Sequence, residues 1–345
     1  MSMRPSSVPG RLRRIATTTA LLVGSLALPV GGQAEEPDAP LTLYSGRSES
    51  LVGPILERFS AVSGIGVDAR FGDTAELAAL LLEEGERSPA DLFFAQDAGA
   101  LGAVADGDLL APLPDDLVAR VPEAFRDASS RWVGVSGRAR TVAHTTTEEL
   151  GLPDSILGFT DPAWSGRIGW APSNGSFQAF VTALRARYGE AATREWLQGV
   201  LANDPVAYPS NSSAVEGVAA GEVDVALVNH YYLLQLQEEH GEAYPVAQHF
   251  FEGGDLGSLV NVAGIGRLDS SDQPDAAAAF IDFMLSAEAQ RYFAETTFEY
   301  PLIDGVAADP RLPSLASLDV PEIELADLAD LKGTVELLRD VGAID

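Results

Sequence analysis

Hydrophobic and polar positions change period along this chain in a repeating order. Leu41-Thr-Leu-Tyr-Ser45 reads as a short strand entering a turn at Gly46, and Leu51, Val52, Ile55, Leu56 and Phe59 recur at helical spacing over 51–61. Residues 65–71 alternate like a strand, 74–86 form a second amphipathic helix, 91–95 a buried strand and 98–105 a third helix. Repeated β-α-β units predict a parallel sheet with helices on both faces, whose ligands bind beyond the carboxyl ends of the strands. That rule brings the turns at 44–49 and 96–97 to one crevice. A long extended segment, 132–145, precedes a second series: strand 167–171, helices 177–188 and 190–200, strand 206–209, helix 213–220 and an apolar strand 223–228 ending at Asn229. Another extended segment, 258–268, leads to helices at 274–285 and 287–298 and to a last amphipathic helix near 325–341. Two extended segments well apart in sequence suit a chain that crosses twice between two α/β lobes, making a hinge.

The first 34 residues have a different pattern. Their only charges are Arg4, Arg11, Arg13 and Arg14, followed by an apolar stretch over 15–30 and the small-residue site Gly32-Gln33-Ala34. This is the layout of a cleaved secretory signal over 1–34. The stretch is short for a membrane span and is diluted by Thr17, Thr18, Thr19 and Ser25. Arg13-Arg14 leaves the export route open between general secretion and a twin-arginine path. After an acidic spacer, 35–40, the mature chain is expected to be an exported protein of the periplasm or cell exterior, with no stable membrane insertion.

Composition narrows the chemistry. The 345 residues include 22 Lys+Arg against 51 Asp+Glu, a formal charge of −29, with 46% hydrophobic residues and no Cys. Removing the four signal arginines leaves 18 basic against 51 acidic residues, or −33. A chain this acidic is a poor binder of nucleic-acid phosphates, which require Lys and Arg. Without Cys there is no disulfide, thiolate metal site, cysteine nucleophile or cysteine-anchored lipid. Lysine occurs once, at Lys332, so the imbalance reflects composition and an acidic exported surface together.

Signatures of a serine-hydrolase elbow, a Walker loop, a dinucleotide fold or a helical zinc site do not occur. An exported hydrolase built on Ser136 and one of the four His is a second class of reading, but no spacing supports it. The most informative run is Val228-Asn-His-Tyr-Tyr-Leu233. Adjacent Tyr residues on a continuing strand point to opposite faces, so both reach one ligand only where strand gives way to helix. Asn229 would cap that helix. Tyr231 and Tyr232 there are either packed aromatics with hydroxyls in water, or two phenolate donors suited to a hard trivalent cation such as ferric iron. Asn174-Gly-Ser176 lies where another strand meets a helix, which makes either an ordinary cap or an anion cradle.

At these residues the sequence resembles the bacterial ferric-iron-binding periplasmic proteins, the transferrin-like solute receptors of ABC importers. The resemblance runs over nearly all of 41–344. It is carried by Leu43-Tyr-Ser-Gly-Arg47, Ser88-Pro-Ala-Asp-Leu-Phe-Phe94, Trp132-Val-Gly-Val-Ser-Gly-Arg-Ala-Arg140, Ile168-Gly-Trp170, Asn174-Gly-Ser-Phe177, the Asn-His-Tyr-Tyr run and Glu299-Tyr-Pro-Leu302. It implies an α/β fold of type II periplasmic binding proteins: two hinge-linked lobes, each a mixed sheet flanked by helices. The N-lobe is expected over 41–138 and 262–318, the C-lobe over 139–261 and 319–345.

The resemblance further implies a non-enzymatic monomer that carries Fe³⁺ to a permease and its ATPase. Tyr231 and Tyr232 would bind the metal. A synergistic anion, carbonate or phosphate, would be held at Asn174, Gly175, Ser176, Asn211 and Asn229. Arg47, in the first turn, could pair with that anion or with a neighbouring acid. Ser48 and Gln96 stand where some family members carry His and Glu ligands. Neighbouring Glu49 and Asp97 are hard oxygen donors that serve equally well as helix N-terminal charges. His144 occupies the place of a further ligand Tyr and is either a soft ligand or a packed hinge residue. The loss of the His and Glu positions leaves open a cleft for an organic anion, a phosphonate or a thiamine-like solute.

Overall fold

The computed structural model describes residues 39–345; the signal expected over 1–34 and most of the spacer lie outside the described residues. Twenty-two strands and helices follow one another: β1 (Leu41–Ser45), α1 (Glu49–Ser63), β2 (Val67–Phe71), α2 (Thr74–Glu84), β3 (Leu92–Ala95), α3 (Ala98–Asp106), β4 (Leu110–Ala111), α4 (Asp115–Val118) and β5 (Trp132–Thr145). Then come β6 (Ile168–Trp170), α5 (Gly175–Tyr188), α6 (Glu190–Ala202), β7 (Val206–Ala207), α7 (Asn211–Ala220), β8 (Val225–Asn229), α8 (Tyr231–His240) and β9 (Val246–His249). Last are β10 (Val260–Leu268), α9 (Pro274–Met284), α10 (Ala287–Thr296), β11 (Tyr300–Pro301) and α11 (Leu331–Asp340).

The strands run in the order β2-β1-β3-β10-β5-β8-β6-β7, with β4 on β10 and both β9 and β11 on β5. The expected parallel pairings hold for β1 with β2 and β3, and for β6 with β7 and β8. The whole is mixed, because β10 is antiparallel to β3 and β5, and β5 is antiparallel to β8. Strand β5 is shared by the two halves. Trp132 to Ala139 pair with β10, and from Arg140 onward the partners are β8 and β9. Both extended segments read from the sequence are therefore strands, and the change of partner falls between Ala139 and Arg140.

Helix boundaries follow local capping. Asp73 accepts from the Ala75 and Glu76 amides at the start of α2, and Ser210 with Ser213 forms a capping box on α7. Helix α1 buries Val52, Ile55, Leu56 and Phe59, the stripe its spacing predicts, and stops at Gly64, whose φ of 78° is a left-handed cap. Two expectations change. The single helix near 325–341 is instead a 3-10 turn at Leu325–Ala329 followed by α11, because Asp330 turns its carboxylate back onto the Gly333 amide. Asn229 does not cap α8. It is the last residue of β8, and His230, already in helical conformation, occupies the cap position without a side-chain bond.

The core is continuous through both halves, with Phe59 edge-on to Phe280 at 5.0 Å in one and the chain Trp170, Phe177, Phe180, Trp196 in edge contact in the other. Among the described residues no helix is long and apolar enough to cross a membrane.

Candidate metal and anion site

Strand β8 ends and α8 begins at the tyrosine pair, as the spacing requires. Helical geometry after His230 brings adjacent rings side by side: the centroids are 4.2 Å apart, and the Tyr231 hydroxyl donates to that of Tyr232 at 2.8 Å. Tyr231 is buried and Tyr232 half-buried, so the two oxygens sit at the margin of the core. Burial pushes the Tyr231 phenol well above its ordinary value, Tyr232 and Glu299 add to this, and the Arg138 and Arg47 guanidiniums oppose it.

Three buried arginines surround the pair. Arg47, in the turn after β1, is ion-paired to the equally buried Glu299 at 2.5 Å, and the Ser136 hydroxyl donates to the other Glu299 oxygen. Burial works against the Arg47 charge, but Glu299 and then the Tyr231 and Tyr232 oxygens hold its pKa above the ordinary value. Arg140 donates to Asn229 Oδ1 at 3.3 Å and to the Leu227 carbonyl at 2.9 Å, with its guanidinium 5.0 Å from the Phe180 ring centroid. Burial lowers its pKa to about 10. Arg138 is 2% exposed, and neither its Nε nor its Nη1 finds a partner.

His230 fixes the backbone beneath the tyrosines. Its Nδ1 accepts from the Ala139 amide at 3.1 Å, so the proton is on Nε2, which donates to the Phe298 carbonyl at 2.7 Å. Burial pushes this imidazole down to about 4, so it is neutral near pH 7.

The second cluster is at the N-terminus of α5. Asn174 is the cap, its Oδ1 accepting from the Ser176 amide at 2.9 Å and the Ser176 hydroxyl at 2.6 Å. Asn211, at the start of α7, is fully buried and donates to Ser176 Oγ at 3.2 Å, while its Oδ1 has no partner. A Cβ built on Gly175 would meet nothing within 4 Å, leaving open space over the helix end. Asn174, Gly175, Ser176 and Asn211 thus converge on one point where helical amides and dipole favour an anion. Asn229 is near the tyrosines, engaged with Arg140.

The remaining candidates are placed differently. Ser48 and Glu49 are exposed at the start of α1, immediately after the buried Arg47. The Gln96 amide is bonded to Thr74 Oγ1, and Asp97 caps α3 through the Ala100 amide at 3.0 Å. Burial raises the Asp97 pKa against the pull of that amide and of Arg138. His144 pairs in register with Val225 at the far end of β8, four residues from the Arg140–Asn229 level, or about 13 Å along the strand. Its Nδ1 lies 3.0 Å from the Thr145 carbonyl oxygen, and His249 is in electrostatic range. The structure does not bring it to the tyrosine pair.

Arg138, Arg140 and Glu299 were not singled out from the sequence, although all lie in motifs quoted above. A usable signal was there: two arginines at i and i+2 in an otherwise apolar strand share one face. Among the described residues there is no cluster of three or more His, Cys, Asp or Glu that could hold a metal.

Comparison with known proteins decides the family. Residues 87–327 match the family model of the bacterial extracellular solute-binding proteins. The chain belongs to that family. It is 34% identical over 329 residues to the Fe(3+)-binding periplasmic protein of Serratia marcescens, covering 94% of this chain and 97% of that protein. It is also 34% identical over 312 residues to the major ferric iron-binding protein of Neisseria meningitidis, covering 88% and 93%. The structure of iron-bound HitA from Pseudomonas aeruginosa superposes with a TM-score of 0.82 at 37% identity, covering 88% of this chain and 99% of that one. The fold is that of a type II periplasmic binding protein.

Proposed function

We propose that this solute-binding protein carries ferric iron, held by the phenolates of Tyr231 and Tyr232 together with a synergistic anion, carbonate or phosphate, and delivers it to an ABC permease and its ATPase. The observation that carries the reading is the meeting of the two hydroxyls at 2.8 Å beside Arg47, Arg138 and Arg140. Two phenolate oxygens converging on one point are hard, anionic donors of the kind Fe³⁺ prefers. The names of the Serratia and Neisseria relatives support the same cargo.

Each part of the site then has a task. The phenols lose their protons as iron binds, and the nearby guanidiniums lower the cost of that charge. Asn174, Gly175, Ser176 and Asn211 hold the anion at the α5 N-terminus, and Asn229 keeps Arg140 in place beside the tyrosines. Asp97 and Gln96 are the donors best placed to approach from the β3–α3 turn, while Ser48 and Glu49 border the cleft from α1. The lobes, 41–138 with 262–318 and 139–261 with 319–345, close about the β5 crossover to exclude water. The protein works as an exported monomer in the periplasm or cell exterior and catalyses no reaction.

Titrating the purified mature chain with ferric iron in bicarbonate or phosphate should develop a visible tyrosinate-to-iron charge-transfer band. Tyr231→Phe with Tyr232→Phe should abolish it. A band and affinity that survive the double substitution would refute the assignment.

A further inference from the structure

Among the described residues four that are not glycine have a positive φ: Asp108, Ser130, Asp204 and Phe298. The two aspartates are exposed and the serine is half-buried, and short polar side chains of this kind enter the left-handed region at small cost. Phe298 is the exception. It is 8% exposed with φ at 59°, where a bulky side chain is sterically strained. It follows Thr297, the C-cap of α10, at the place where helices commonly end in glycine. Ending the helix accounts for the conformation and leaves the aromatic side chain unexplained, since glycine would turn the chain there without strain.

Such strain persists where the surroundings hold a residue in place, and Phe298 is held through its backbone and its ring. The carbonyl accepts from His230 Nε2 at 2.7 Å, and the Arg311 guanidinium lies 5.2 Å from the ring centroid. Arg311 is in turn paired with Asp309 at 2.8 Å and with Glu238 at 3.1 Å. His230, at the cap of α8, and Glu238, near its end, both belong to the helix that opens with the tyrosine pair. The residue after Phe298, Glu299, holds Arg47 and Ser136, and the next, Tyr300, sets its ring centroid 4.8 Å from that of His230. His230 also accepts from the amide of Ala139, the last residue of β5 before its change of partner, whereas β11 pairs with Ser136 and Gly137 ahead of that change. One imidazole thus ties the start of α8 to both halves of the sheet.

We propose that Phe298 and His230 are positioning residues for the cargo metal: the left-handed backbone of Phe298 aims its carbonyl at His230 Nε2, which fixes the first turn of α8 and with it the Tyr231 and Tyr232 hydroxyls relative to Glu299 and Arg47. The proposal rests on the ferric reading above. A right-handed or extended residue at 298 would turn that carbonyl out of line and leave the buried Nε2 proton without a partner. The first turn of α8 would then be free to shift. Two phenolates bind one metal well only when their oxygens already converge, and loss of a hydrogen bond that orients a ligand from behind ordinarily costs about 10–100-fold in metal affinity.

The test compares pairs of variants that differ in this link. Iron affinity of the mature chain is measured in bicarbonate by competition with a hydroxamate chelator, together with the position of the tyrosinate charge-transfer band, under conditions where each metal-free variant is folded. Phe298→Gly and Phe298→Val both lose the ring, but only glycine takes the left-handed backbone without strain. The Val variant should bind iron about tenfold more weakly than the Gly variant, or worse, and shift the band. His230→Leu, which removes the donor, should likewise bind about tenfold more weakly than His230→Gln, which keeps one, and this pair serves if Phe298→Val fails to fold. A purely structural turn would lower the urea midpoint of Phe298→Val below that of Phe298→Gly while leaving their iron affinities equal and their bands in one place. That result, or equal affinities in the two His230 variants, would overturn the proposal. In each of those outcomes wild type still shows the tyrosinate band if the ferric reading is right, and its absence from wild type would refute that reading instead.

Discussion

The Arg47 guanidinium and the Glu299 carboxylate meet at 2.5 Å, each about 1% exposed, across 252 residues of sequence. The pair joins the turn after β1 to the residue before β11. A pair this deep gains little over apolar residues of the same shape, but removing one member strands the other charge in the core. Glu299→Leu should therefore cost about 3–5 kcal/mol of unfolding free energy, and Arg47→Met with Glu299→Leu together should cost much less than the sum of the two single changes. Urea unfolding of the four members of this cycle checks it. Additive losses would show that the ion pair is not the source of the cost.

His230 gives the metal-free protein a pH signature. Its folded pKa, about 4, lies below the ordinary 6.5. Between these values the unfolded chain takes up a proton that the folded one refuses. Stability from this group is thus fully present above pH 6.5, falls as pH drops toward 4, and is level below that, a loss of about 3 kcal/mol. His230→Gln, which keeps a donor for the Phe298 carbonyl, should flatten that part of the stability–pH curve. Identical slopes in the two proteins between pH 4 and 6.5 would refute it.

What could be read from sequence was local, and what could not was long-range. The strand-to-helix junction at Tyr231, the helix start at Asn174 and the stripe of α1 depend on residues a few positions apart, and the structure has all three. Arg140 and Glu299 take partners 87 to 252 residues away, which no local period shows, and the one local signal for Arg138 is its place two residues before Arg140 in the same strand. The Asn229 cap failed for a related reason: Arg140, from another strand, takes the side-chain oxygen a cap would use. His144 reads by position as either a soft ligand or a packed hinge residue, and strand register sets it at the far end of β8.

The turn at Leu325–Ala329 is packed against α3, and a Cβ on Gly99 would lie 2.2 Å from the Leu328 carbonyl oxygen and 2.8 Å from its carbon. An alanine at a helical glycine ordinarily gains about 0.5–1 kcal/mol. Here the obstacle is backbone and cannot rotate away, so overpacking of about 1–3 kcal/mol should win. Gly99→Ala should lower the urea midpoint at unchanged slope. A raised midpoint would mean that the 325–329 segment yields freely.

Asn174 combines a structural and a binding role, and one substitution separates them. Its Oδ1 caps α5 through the Ser176 amide and hydroxyl. Aspartate caps as well as asparagine and adds a charge that suits the helix dipole, so Asn174→Asp should hold stability within about 0.5 kcal/mol. The same charge repels an anion placed over the helix end, by an amount that at close range is worth more than a factor of ten. The ratio of iron affinity with and without added phosphate should accordingly fall at least tenfold in the variant, while Asn174→Ala should lose about 1 kcal/mol of stability as well as anion dependence. An unchanged ratio in the Asp variant would remove the α5 N-terminus from the anion site.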